Sequence, residues 1–86
     1  MGIRLYASNL PFSATEATLA IRFAKFGVVL SIRLDRDKAG MSRRAAFVEM
    51  QNPDEAQRAI AGLNLAEIDG RLISVYKAVA GVPALT

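Results

Sequence analysis

The sequence predicts an α+β sandwich: a four-stranded antiparallel sheet in the order 4-1-3-2, with two helices on one face and the other face open. Three observations predict it. Apolar residues alternate with a period of two in four short stretches, and two longer stretches carry apolar residues at helical spacing. The six segments follow one another as β-α-β-β-α-β. The third strand, Arg43 to Met50, combines an apolar face with an outward row of charge and aromatic.

Taken in order, Ile3, Leu5 and Ala7 alternate with Arg4, Tyr6 and Ser8, a short strand with a ring on its outer side. Asn9-Leu10-Pro11 ends it. Ser13 with Glu16 has the spacing of a capping box, and Thr15 is the competing N-cap. The helix that follows is expected to run to about Phe26, with Leu19, Phe23 and Phe26 on its buried stripe and Gly27 as its stop. Val28 to Leu34 reads as the second strand, Leu30, Ile32 and Leu34 inward and Ser31 and Arg33 outward. Asp35 to Ser42 reads as a charged loop in which Arg36 and Lys38 are compensated by Asp35 and Asp37.

In the third strand Ala46, Val48 and Met50 point to the core, and Arg43, Ala45, Phe47 and Glu49 point away. The second helix has the clearest start: Asn52 as N-cap, Pro53 at its first position and Glu55 completing the box. Ala56, Ala59, Ile60 and Leu63 form its buried stripe. Asn64 to Gly70 is a connector, and Arg71 to Ala78 is the fourth strand, with Ile73 and Val75 inward and Ser74 and Tyr76 outward. Two right-handed crossovers then place both helices on one face, which is the ferredoxin-like split βαβ arrangement.

Bulk properties narrow the function. The chain has 86 residues, room for one domain. A chain this short buries only about 60–65% of its unfolded surface. Cysteine and histidine are absent, which removes disulfides, thiolate nucleophiles, zinc sites and imidazole chemistry together. No enzyme activity and no cofactor or metal are therefore expected. Eleven Lys and Arg against eight Asp and Glu give a formal charge of +3, a modest lean toward polyanions. No apolar run reaches membrane-spanning length and no signal-peptide pattern is present, so a cytoplasmic location without membrane contact is expected. The domain is expected to span residues 1–78, with 79–86 an apolar, flexible tail.

An aromatic ring set among charges on a sheet surface needs something flat to lie against, and a base of a single strand is such an object. At Arg43-Arg44-Ala45-Ala46-Phe47-Val48-Glu49-Met50 the sequence resembles the octamer of the RNA recognition motif family, and Leu5-Tyr6-Ala7-Ser8-Asn9-Leu10 resembles its hexamer. Asn9-Leu10-Pro11-Phe12, Phe23 with Gly27, and Gly70-Arg71 fall where many members carry the same residues. The likeness covers residues 3 to about 78. The short cysteine-free single module looks most like the small bacterial members.

The resemblance implies binding of single-stranded RNA, with single-stranded DNA left open, on an aromatic platform at Tyr6 and Phe47. The chain departs from the family pattern at Ala45, where a third ring is usual, and at Arg44, where glycine is usual. One ring fewer weakens binding by roughly 1–3 kcal/mol. Tyr76 is a partial substitute, though not at a family platform position. Arg43 is placed to meet a phosphate, with Arg4, Arg33, Arg44 and Lys77 as further cations. Glu49 is placed to accept a hydrogen bond from a base amino group. The family pattern also puts Asn9, Lys77 and Ala78 among the RNA contacts.

The rival reading is a protein-interaction module. Ala17, Ala20, Ile21 and Ala24 make the usually polar side of the first helix apolar, a surface for a partner or a weak homodimer. A small phosphatase on the same sandwich is the third reading. The turn Asn9-Leu10-Pro11-Phe12 lacks the glycine and arginine of a phosphate cradle.

Overall fold

A computed structural model describes residues 2–78. In chain order the elements are β1 (Ile3–Ser8), α1 (Glu16–Ala24), β2 (Val29–Arg36), β3 (Ser42–Met50), α2 (Pro53–Leu63), β4 (Glu67–Ile68), β5 (Arg71–Leu72) and β6 (Ser74–Lys77). The main sheet has four strands in the order β2-β3-β1-β6. With β6 as the fourth long strand, this is the expected 4-1-3-2 order and the ferredoxin-like fold. The expected tail, 79–86, lies outside the described residues.

Both helices pack on one side, over Leu5, Ala7, Ala46, Val48, Met50, Ile73 and Val75. All seven are essentially inaccessible. α1 contributes Leu19 and Phe23, and α2 contributes Ala56, Ala59 and Leu63. At roughly 25 cal/mol per Å² of apolar surface removed from water, this face supplies most of the fold's driving force. α2 meets the turn that follows α1 at Gly62, where an added Cβ would fall 2.4 Å from the Phe26 ring. Glycine is what lets that ring close the gap between them.

Thr15, not Ser13, is the N-cap of α1. Its hydroxyl accepts the Thr18 N–H at 3.1 Å, and the Thr18 hydroxyl accepts the Thr15 N–H at 2.9 Å, so two threonines make the capping box. Glu16 is thereby free to accept the Leu34 N–H at 3.0 Å, satisfying a donor of the edge strand β2. Asn52 caps α2 as expected, accepting the Glu55 N–H at 2.9 Å. The Glu55 carboxylate does not turn back to the cap; it accepts the Val28 N–H at 2.9 Å.

Three expected boundaries move. α1 ends at Ala24, and Phe26 follows in a turn whose N–H reaches the Phe23 carbonyl at 3.0 Å. β2 extends through Asp35 and Arg36, and the loop shrinks to a turn in which the Asp37 carboxylate accepts the N–H groups of Ala39 and Met41, each at 2.9 Å. The expected fourth strand is split: Arg71–Leu72 pairs with Glu67–Ile68 as a small ribbon, and only Ser74–Lys77 joins the main sheet. Leu30, expected in the core, is 49% exposed. The pairing steps from Val29↔Met50 to Ser31↔Glu49, and Leu30 is the extra residue of that bulge. Among the described residues no helix is long and apolar enough to cross a membrane.

Candidate nucleic-acid interface

Among the described residues no helix covers the second face of the sheet. Strand alternation and register bring Tyr76 of β6, Tyr6 of β1 and Phe47 of β3 side by side there. The Tyr6 ring lies 4.9 Å from Phe47 and 5.7 Å from Tyr76 between centroids, tilted against each by 56° and 46°. The three form one continuous aromatic row across three strands.

Tyr6 is the row's fixed member. It is only 8% exposed, and its hydroxyl donates to Asp35 Oδ2 at 3.1 Å. Burial, then the hydrogen bond and the charge of Asp35, push its pKa up to about 12; the nearby Arg43 pulls the other way. The phenol therefore keeps its proton, and this bond, far above neutral pH. Because β3 lies between β1 and β2, reaching Asp35 carries the Tyr6 side chain across β3 at Ala45, the register partner of Asp35. A small residue at position 45 leaves that path open. The missing ring is thus matched by a tyrosine laid into its space. Phe47 is half-buried and Tyr76 is 43% exposed, so these two carry the row's accessible surface.

Three cations border the row. The Arg4 guanidinium stands over the Phe47 ring, 5.6 Å from its centroid. Arg33 is the register partner of Phe47 on β2, and exposed Arg43 lies toward the Tyr6 hydroxyl. Arg4, Ser31, Ile32, Arg33, Phe47 and Glu49 line an open hollow of about 470 Å³ beside the ring. Ser31 Oγ donates to Glu49 Oε1 at 3.3 Å.

Other expected contacts lie elsewhere. Arg44 takes a left-handed backbone, φ 58°, at a second bulge, and its guanidinium sits 3.7 Å from the centroid of the Phe12 ring in the β1–α1 loop. The left-handed conformation is the physical reason for the family's usual glycine at this position. Asn9 serves the fold: its amide donates to the Leu72 carbonyl at 2.8 Å, and Arg71 donates to both its main-chain and side-chain oxygens. Lys77 pairs with core residue Leu5, so its side chain leaves the sheet on the helix side and not beside Tyr76. The Ala78 N–H is taken by the Arg4 carbonyl at 2.8 Å. Asp35 is the residue that the sequence reading missed. Its signal was the outward parity it shares with Ser31 and Arg33 once β2 is extended. Among the described residues no group of three His, Cys, Asp or Glu gathers to hold a metal ion.

The family model described as RNA recognition motif matches residues 5–74. The human protein named RNA-binding protein 28 is 42% identical over 77 residues, covering 90% of this chain and 10% of that protein. The chain spans less than half the length of that protein and of four other similar curated relatives, and these five are eukaryotic, three of them chloroplastic. The expected likeness to small bacterial members thus finds no support in them. Among solved structures, RNA Binding Protein PG1 superposes with a TM-score of 0.84 at 35% identity, covering 90% of this chain and 94% of that one. A Sex-lethal protein/RNA complex superposes with a TM-score of 0.79 at 37% identity, covering 88% and 47%. The family match over most of the domain, the strand order and the aromatic row agree, and the chain belongs to the RNA recognition motif family.

Proposed function

We propose that this domain binds short single-stranded RNA on the open face of its sheet, with one base on Phe47 and a second on the Tyr6–Tyr76 pair. The observation that carries the reading is the unbroken row of three rings on the sheet face opposite the two helices. Relatives named as RNA-binding and a superposable protein/RNA complex support it. Arg4 swings off the Phe47 ring to a phosphate as the base arrives, and Arg43 meets the backbone beside Tyr6. No covalent chemistry is part of this function.

Affinity is modest, because Tyr6 is largely covered and engaged with Asp35 before any base arrives. The second reading, a protein partner or second copy on α1, rests on Ile21, which is 66% exposed beside Ala17 and Ala24. An anisotropy titration with short mixed-sequence RNA at several salt concentrations separates the two. Two or three phosphate contacts give a slope of log affinity on log salt of about −1.4 to −2.1. Measurable binding with a slope near zero contradicts the basic rim. Absence of binding favours the α1 surface.

A further inference from the structure

We infer that the hollow beside Phe47 is a base-reading pocket selective for guanine, with Glu49 as the residue that determines the choice. The inference rests on the RNA-binding reading above and adds to it which base the Phe47 position takes. Glu49 is two residues from Phe47 on the same strand and the same face, about 7 Å along the chain, so a base lying on the ring brings one edge toward the carboxylate.

That carboxylate is held in place. Ser31 donates to Oε1 from the neighbouring strand, and the main chain of Gly2 packs so closely that a Cβ there would fall 2.4 Å from Oε2. An ionised carboxylate only accepts hydrogen bonds, so its partner must present donors. Guanine is the base whose Watson–Crick edge offers two adjacent donors, N1–H and the N2 amino group. Adenine and cytosine offer one amino donor beside an acceptor, and uracil offers a single N–H flanked by two carbonyls facing the charge. The neighbouring guanine edge presents O6 and N7, both acceptors, to which an arginine donates in paired fashion. Arg33, paired with Phe47 in register and lining the same hollow, stands on that side. A carboxylate with an adjacent guanidinium around one aromatic ring thus matches guanine on two edges.

The test uses RNAs of about five nucleotides, all uridine except a central guanosine, adenosine, cytidine or inosine, titrated against the chain by anisotropy. A bidentate base contact predicts at least about fivefold tighter binding of the guanosine oligomer than of the adenosine one. Inosine, which keeps N1–H and lacks the amino group, falls between them. In Glu49→Gln, whose amide sets its own N–H₂ against guanine's donors, the guanosine and adenosine affinities converge to within about twofold. Equal binding of guanosine and adenosine by the unmodified chain, a cytidine preference, or a guanosine preference that survives in Glu49→Gln overturns the inference while leaving RNA binding intact. Failure of every oligomer to bind overturns the RNA-binding reading, and this inference with it.

Discussion

Phe47→Ala is expected to weaken binding of short single-stranded RNA by about five- to a hundred-fold, the cost of one lost base–aromatic stack of roughly 1–3 kcal/mol. The size follows from the ring's position. It is the accessible ring on a central strand, 4.9 Å from Tyr6 and in register with Arg33, and it lines the hollow beside Glu49. Removing it takes away a stacking surface and the seat of the Arg4 guanidinium together. The fold is expected to survive, since the ring belongs to the open face and not to the core cluster. Its contact with Tyr6 is worth only about 0.5–1.5 kcal/mol. Anisotropy titration of both proteins, with thermal unfolding as the control on folding, gives the comparison. Unchanged affinity in a folded Phe47→Ala protein means that no base lies on this ring.

The largest expected effect on stability is at Phe23. This ring is fully inaccessible, the largest of the side chains buried between α1 and the sheet. Phe→Ala at such a site costs about 3–5 kcal/mol, the transfer free energy plus the cavity left behind. A domain of this size has a total stability of about 4–13 kcal/mol, so the loss consumes about a quarter of it or more. The melting temperature is expected to fall by more than about 12 °C, taking some 4–8 °C per kcal/mol. Ile21→Ala, two residues away on the exposed side of the same helix, should cost no more than about 0.5 kcal/mol. Similar melting temperatures for the two variants would show that α1 is not anchored as described.

The sequence carries the fold in its periodicities. The inward residues of the long strands, Ile3, Leu5, Ala7, Ala46, Val48, Met50, Ile73 and Val75, alternate as expected because one face alone is buried. Asn52-Pro53 starts α2 where the sequence places it, since that cap is built from neighbouring residues. What escapes the sequence is set by pairing between distant segments. Leu30 and Arg44 break alternation at bulges, and a bulge depends on the register of the partner strand. Glu16 and Glu55 look like local capping residues but spend their carboxylates on Leu34 and Val28, across the fold.

The candidate site is legible in part for the same reason. Tyr6, Phe47 and Tyr76 meet on one face by strand parity alone. Asp35 could not be seen to engage Tyr6, because that contact spans three strands and depends on the small size of Ala45. Asn9 shows a structural role that the sequence does not display. Its place in a shared motif suggests a ligand contact, whereas its hydrogen bonds tie the end of β1 to the β4–β5 ribbon.

The most direct test of the central claim is an amide chemical-shift titration of the isotope-labelled chain with short mixed-sequence single-stranded RNA. The shifts are expected to concentrate at Tyr6 of β1, Phe47 and Glu49 of β3, and Tyr76 of β6, while Ala17, Ile21 and Ala24 on the outer side of α1 stay still. Shifts confined to α1, or saturation that leaves the strand amides unmoved, would contradict that claim.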